Sequence, residues 1–221
     1  MAHNIGFGLL WLGFSVYAFV LAPGNQADAL SLVQKLVVMD WQGINPLIIA
    51  LFNLMGIWSM IYSCLLFADG REQRFPAWPF VSLSFAVGAF ALLPYLSLRQ
   101  GVRSQPLKDL NRTLKFWDSR GLAVGLCVGA IALLYFGFTQ GDWVDFMHQW
   151  HTNRFIHVMS LDFCMLSLLF PAVLSADMSR RGMSAQTPLF WAVALVPLLG
   201  PLAYLCLRPS LSSGAEPFSE A

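Results

Sequence analysis

Long apolar runs, separated by short charged segments, dominate the hydropathy pattern of this chain. A membrane-spanning helix needs about 20 mostly apolar residues, and six runs meet that length. We expect membrane helices at 5–22, 47–67, 77–98, 121–140, 155–175 and 188–207. The pattern predicts an all-α fold, a polytopic membrane bundle of about six transmembrane helices, with residues 1–207 forming one domain and 208–221 a disordered polar tail.

Two connections carry an amphipathic pattern. In 106–118 the apolar residues recur at intervals of three and four, which places them on one helical face with the basic residues largely off it. This segment is either a docking site or an anionic-lipid site on the cytoplasmic membrane surface, or a solvated linker, and we favour the linker. The stretch 27–41 is similarly amphipathic and is too short to span.

The distribution of lysine and arginine predicts an orientation, since short cytoplasmic loops collect these residues. On a six-helix reading, the connections after the first, third and fifth spans carry nine of the 13 basic residues. We therefore expect both termini to face away from the cytoplasm, on the lumenal or periplasmic side.

Composition narrows the class of protein. Of the residues, 57% are hydrophobic and 11% charged, against about 25% charged in an ordinary soluble domain. This excludes a soluble enzyme, a disordered chain and a disulfide-rich secreted module. The net charge of +1 provides no attraction to nucleic acid. The expected partners are membrane lipids rather than nucleic acid.

Polar residues inside apolar spans are the candidate functional residues, because they are costly in hydrocarbon. The fifth span contains His157 and Asp162, which lie about 140° apart on a helical wheel and so cannot serve one compact site. Each needs a partner from another helix, and Asn53 of the second span is one candidate. His157 is either a histidine hydrogen-bonded at a helix end, which we favour, or an axial ligand to a porphyrin-type pigment.

Two weaker signals flank these spans. His148 and His151 could share a metal, but no third ligand at a fixed spacing follows, so a structural loop is favoured. Gly121, Gly125 and Gly129 recur every four residues, a spacing that lets helices approach closely. We expect this groove to pack against another helix of the same chain rather than to form a homodimer.

The sequence shows no familiar enzyme motif such as GxSxG, HExxH or a P-loop. No internal repeat is evident, because the predicted helices differ in length and in glycine placement. The lack of repeats and of interrupted helices disfavours a small-solute transporter.

Two stretches carry a resemblance to known proteins. Residues 41–99, beginning WQGINPLIIALFNLMGIW, and residues 154–182, RFIHVMSLDFCMLSLLFPAVLSADMSRRG, resemble a poorly characterised family of polytopic membrane proteins from cyanobacteria and chloroplasts. The resemblance implies a thylakoid or cyanobacterial inner-membrane protein connected to photosynthesis. It brings no assigned catalytic residue.

Two functions are consistent with these observations. The first is a non-enzymatic accessory or assembly protein that contacts a photosystem or another pigment-protein complex and binds chlorophyll, haem or carotenoid. The second is a membrane enzyme acting on an apolar lipid, quinone or carotenoid at the level of His157 and Asp162.

Overall fold

The structure is a computed structural model that describes residues 2–24, 29–71, 73–100, 111–184 and 187–211. Within these ranges the chain is helical and contains no strand, which confirms the all-α prediction. Four helical segments are long and apolar enough to cross a membrane, as expected of an integral membrane protein. They are Asn4–Leu21, Pro46–Asp69, Arg120–Gln140 and Arg154–Arg180.

The first helix continues into a π-helical turn, Tyr17–Leu21. In chain order the helices are α1 (Ala2–Val16), α2 (Ala29–Val37), α3 (Pro46–Asp69), α4 (Trp78–Val87), α5 (Ala89–Leu98), α6 (Arg112–Trp117), α7 (Arg120–Gln140), α8 (Trp143–Thr152), α9 (Arg154–Arg180), α10 (Pro188–Leu195) and α11 (Leu199–Leu207).

Helices α3 and α9 run parallel through the bundle. They begin at Asn45 and Asn153, whose side chains cap the two helices, and we call this the asparagine end. They finish at the opposite end, where Arg180 contacts Asp69 at 2.6 Å, which we call the arginine end. Helices α1 and α7 run in the opposite direction.

The predicted span 77–98 is a helical hairpin in the structure. Gly88, at φ +54°, divides it into α4 and α5, and Phe80 of α4 packs on Tyr95 of α5 with ring centroids 5.6 Å apart. Arg99, at the end of α5, donates to Asp69 at 2.7 Å. Both ends of the hairpin therefore lie at the arginine end, and its ten-residue arms reach about 15 Å, roughly half of a bilayer core.

The predicted span 188–207 is divided in the same way. The break between α10 and α11 contains Pro197, which has no N–H to donate, and Leu198 at φ +61°. Arg181, before α10, donates to the carbonyl of Pro209, after α11, so both ends again meet at the arginine end. Each of these two predicted helices is therefore divided into two short helices by a chain reversal, which apolar length alone does not reveal.

The structure also reveals an internal duplication that the sequence pattern did not suggest. Each half contains a long helix, a short amphipathic helix, a second long helix and a hairpin, so α1–α5 corresponds to α7–α11. Equivalent residues are 108 positions apart in α3 and α9 and 109 apart in the second arms of the hairpins. The pairs are Asn45 with Asn153, Asp69 with Asp177, Tyr95 with Tyr204, and Arg99 with Arg208.

Contacts between the halves are reciprocal. Arg99 donates to the carbonyl of Ala172 at 3.2 Å, and Arg208 donates to the carbonyl of Cys64 at 3.4 Å. Cys64 and Ala172 are themselves 108 positions apart. Because each half contains two candidate spans, the halves have the same direction, as in parallel repeats related by an axis along the membrane normal.

The amphipathic segments are observed in part. Helix α2 lies within 27–41 and buries Leu36, which packs with Ile48 and Ile49 of α3 at the asparagine end. Helix α6 covers the second half of 106–118 and packs Leu114 against Ala68. Residues 101–110 and the tail residues 212–221 lie outside the described residues.

Candidate functional site

A cavity of about 490 Å³ lies beneath the tip of the first hairpin. Helices α1, α3 and α9 form its walls, and the hairpin tip forms its roof, because the hairpin stops near the middle of the bundle. The lining is mostly apolar. Its polar residues include Ser15 of α1, Asn53 of α3 and Asp162 of α9.

Asp162 is held against the hairpin tip by the main chain. Its side chain is 5% exposed, and Oδ1 accepts a hydrogen bond from the Ala89 N–H at 2.9 Å. Ala89 is the first residue of α5, so the carboxylate also lies at the positive end of that helix's dipole. Only glycine fits at position 88, since a Cβ there would overlap Oδ2 of Asp162. The tip is thus shaped around this carboxylate.

Asn53 lies in the same cavity but contacts its own helix. Its Nδ2 donates to the Ile49 carbonyl at 2.8 Å. Asn53 and Asp162 thus line one cavity, although no hydrogen bond joins them directly. The sequence analysis predicts Asn53 as a candidate partner for a polar residue of the fifth span, which is α9. The structure places Asn53 and Asp162 in one cavity.

His157 lies outside this cavity, at the junction of three helices. Its Nε2 is 2.8 Å from the Tyr17 hydroxyl, and its Nδ1 is 3.0 Å from the Trp150 carbonyl oxygen. Both ring nitrogens therefore have protein partners, and an axial metal would have to displace one of them. This geometry favours the hydrogen-bonded helix-end histidine over the pigment ligand, and it separates His157 from Asp162 as the helical wheel predicted.

The other candidate residues are brought into no site. His148 and His151 are exposed on α8, and the described ranges contain no group of three or more His, Cys, Asp or Glu able to hold a metal. An added Cβ at Gly121 or Gly125 meets no atom within 4 Å, while one at Gly129 approaches only Ile57, at 3.9 Å. The expected close helix contact is thus not formed at Gly121 and Gly125 within the described part of the chain.

A second, smaller cavity lies between α3, α7 and α8 and shares part of its wall pattern with the first cavity. Its volume is about 260 Å³. In α3 it is lined by Leu47, Ala50, Leu51 and Leu54, which are 108 positions before the α9 residues Phe155, Val158, Met159 and Asp162 of the first cavity. These wall residues of the two cavities are therefore related by the duplication, and leucine occupies the position of the aspartate.

Two buried ion clusters join the helices at the arginine end. Asp69 accepts from Tyr95, Arg99 and Arg180, and Asp177 accepts from Tyr204, Arg181 and Arg208. Burial alone would lower the pKa of Arg99, but the hydrogen bonds and charge of Asp69 raise it. Burial would likewise lower the pKa of Arg181, but the charges and hydrogen bonds of Asp177 and Asp118 raise it. Both clusters are therefore structural ion pairs.

The sequence interpretation missed Gly88, Ser15 and the hairpin tip. One usable signal was present: the strings YLSLR at 95–99 and YLCLR at 204–208 repeat the Tyr-to-Arg spacing, each after an AD pair, at 68–69 and 176–177. That repeat would have indicated the duplication. It would not have located the cavity, which depends on where the hairpin ends.

Comparisons with protein-family models, with curated proteins and with solved structures found no match to this chain.

Proposed function

We propose that this chain is an integral membrane protein that binds a lipophilic molecule in the cavity beneath the first hairpin. The observation that carries the proposal is a buried carboxylate, Asp162, in an otherwise mostly apolar cavity. The cavity volume of about 490 Å³ lies within the range of about 300–1,000 Å³ that is usual for small-molecule sites. A few polar groups in an apolar lining are also typical of such sites.

The hairpin geometry supports an apolar occupant. Arms of ten residues fill only about half of the bilayer thickness, so the volume between the tip and the asparagine end needs other apolar material. Trp11, Phe52, Phe90 and Phe155 line this volume. A lipophile with a small polar group satisfies both the apolar wall and the carboxylate.

We further propose a non-enzymatic accessory or assembly role in a photosynthetic membrane, in contact with a photosystem or another pigment-protein complex. This part of the proposal rests on the resemblance of residues 41–99 and 154–182. Among chlorophyll, haem and carotenoid, the cavity favours carotenoid, because a carotenoid needs no axial ligand and both ring nitrogens of His157 already have partners.

The alternative is a membrane enzyme acting on an apolar lipid, quinone or carotenoid. A carboxylate facing a ligand cavity favours it, since such a group can exchange a proton with a bound molecule. Of His157 and Asp162, only Asp162 lines the cavity. Chemical conversion of the bound molecule by the purified protein would favour this alternative over the accessory role.

The sequence pattern disfavoured a transporter because it showed neither a repeat nor interrupted helices. The structure contains both features, so that argument no longer applies. The apolar lining nonetheless favours a lipophile over a hydrophilic solute.

Purification tests the binding proposal. We expect protein isolated in mild detergent from a photosynthetic host to retain about one lipophile per chain, seen by absorption and by mass spectrometry of its extract. Asp162→Leu should reduce retention at least about tenfold, since a hydrogen bond to a charged group contributes about 1.5–3 kcal/mol. The matched control is Ser167→Ala, which changes a residue of α9 bonded to its own helix at Phe163.

Bulk lipid alone in the wild-type extract would contradict the proposal. Equal retention by Asp162→Leu and wild type would place the lipophile elsewhere.

The four-span fold supports an orientation opposite to the one expected from six spans. Nine described basic residues lie at the arginine end: Arg71, Arg74, Arg99, Arg112, Lys115, Arg120, Arg180, Arg181 and Arg208. Lys35 and Arg154 lie at the asparagine end. We propose that the arginine end, where Asn4 and Leu211 lie, is cytoplasmic.

Cysteine labelling of intact bacterial cells expressing the protein tests this orientation. In a background without the native cysteines, an impermeant maleimide should label Gln42→Cys at the asparagine end. It should label Ser210→Cys at the arginine end only after permeabilisation. The reverse pattern would restore the orientation expected from the sequence.

A further inference from the structure

The duplication allows the two cavities to be compared position by position. In α3 and α9, Asn53 corresponds to Leu161 and Asp162 corresponds to Leu54, each pair 108 positions apart. Asn53 of the first half and Asp162 of the second half thus each correspond to a leucine of the opposite half, and Leu134 lines the second cavity on the first helix of its half, as Ser15 does in the first cavity.

This difference between equivalent positions indicates which polar side chains the helices can form without. The long helix α9 forms with Leu161 at the position of Asn53, and α3 forms with Leu54 at the position of Asp162, so neither long helix needs the polar side chain at these positions. The clusters around Asp69 and Asp177, by contrast, are present in both halves. A buried carboxylate is costly, and the leucine at the equivalent position shows that the long helix forms without one, which favours a role for Asp162 in binding.

We propose that the ligand of the first cavity carries a group that donates a hydrogen bond to Asp162, a proposal that rests on the binding function above. Ser15, Asn53 and Asp162 are then the residues that determine which ligand is bound. The ligand class is a lipophilic alcohol or phenol rather than a plain hydrocarbon, ether or ester.

The hydrogen bonds of Asp162 support a donor on the ligand. Oδ1 accepts from the Ala89 N–H. Across the described residues, Oδ2 has no hydrogen-bond partner, although it lies against Gly88 at the roof of the cavity. A carboxylate oxygen accepts hydrogen bonds and, when ionised, cannot donate them. A hydroxyl on the ligand completes its bonding.

The aromatic wall supports a ring near that hydroxyl. Trp11 of α1 and Phe85 and Phe90 of the hairpin line the cavity near its roof, and the Trp11 indole is fixed by a hydrogen bond to the Phe90 carbonyl at 3.1 Å. Aromatic side chains favour stacked or edge-on contacts with flat rings. A phenolic ring with an alkyl tail matches this arrangement of polar roof and apolar walls.

A matched pair of ligands tests the proposal in wild-type protein reconstituted into lipid nanodiscs. Decylhydroquinone has two hydroxyl donors, and its dimethyl ether has none. We expect decylhydroquinone to bind at least about tenfold more tightly, measured by quenching of tryptophan fluorescence, because a hydrogen bond to a charged acceptor is worth about that factor or more.

Asp162→Leu should remove this preference, so that both compounds bind with similar affinity. Asn53→Leu should reduce it, and Ser167→Ala should leave it unchanged. Melting curves of each variant report folding, which Leu54 and Leu161 at the equivalent positions lead us to expect. If Asp162→Leu does not fold, Asp162→Asn takes its place and should reduce the preference by weakening the acceptor.

The outcomes distinguish the two proposals. Equal wild-type affinity for both compounds, or a preference unaffected by the substitutions at Asp162, would overturn the donor proposal and leave lipophile binding intact. Binding of neither compound, together with purified protein free of lipophile, would overturn both.

Discussion

Asp177→Ala is expected to lower the free energy of unfolding by about 3–5 kcal/mol, the usual cost of removing one partner from a buried ion pair. Asp177 is fully buried. It accepts from Arg181 at 2.8 Å, Arg208 at 3.1 Å and the Tyr204 hydroxyl at 2.7 Å. Without it, two guanidinium groups lose a shared counter-ion at the point where α9 meets α11. Unfolding in mixed detergent micelles, followed by circular dichroism, measures the effect.

Asp40→Ala is the control, because Asp40 is exposed at the asparagine end and exposed substitutions usually change stability by less than about 0.5 kcal/mol. Asp69→Ala should resemble Asp177→Ala, since Asp69 occupies the equivalent position with its own tyrosine and arginines. A loss at Asp177 no larger than at Asp40 would show that the cluster does not hold the hairpin to α9.

Gly88→Ala is expected to destabilise the protein by about 3 kcal/mol or more. Strained backbone at a position suited to glycine costs about 1–3 kcal/mol, and Gly88 has φ +54° and ψ −129°. An added Cβ would also overlap Oδ2 of Asp162 and lie 2.7 Å from its Cγ, and such overpacking costs about 1–3 kcal/mol. The same unfolding measurement reports the sum.

Two variants separate these contributions. Gly182→Ala introduces a methyl group at φ +71°, where no atom lies within 4 Å, so its cost should be about 1 kcal/mol from the backbone alone. Combining Gly88→Ala with Asp162→Ala removes the overlap and should recover part of the loss. If Gly88→Ala proves as mild as Gly182→Ala, the close contact between the hairpin tip and Asp162 is not rigid.

The candidate functional residues were recognisable from sequence only in part. Asp162 was identifiable because an ionisable residue deep in an apolar run must be compensated, and its burial in the structure agrees with that expectation. Its partner was not identifiable, since the donor is the main-chain N–H of Ala89, which almost any residue could supply. Ser15 gave no signal, because a single serine in an apolar helix is unremarkable until a cavity adjoins it.

Hydropathy by itself determined the all-α class, the membrane-spanning character and the four longest helices, because the bilayer requires apolar segments of a certain length. It could not distinguish a span from a hairpin, since residues 77–98 are equally apolar in either case. The tertiary structure decided this through the backbone reversal at Gly88 and the pairing of Arg99 with Asp69. Both depend on contacts between residues far apart in the chain, and those same contacts decide which side chains meet in the cavity.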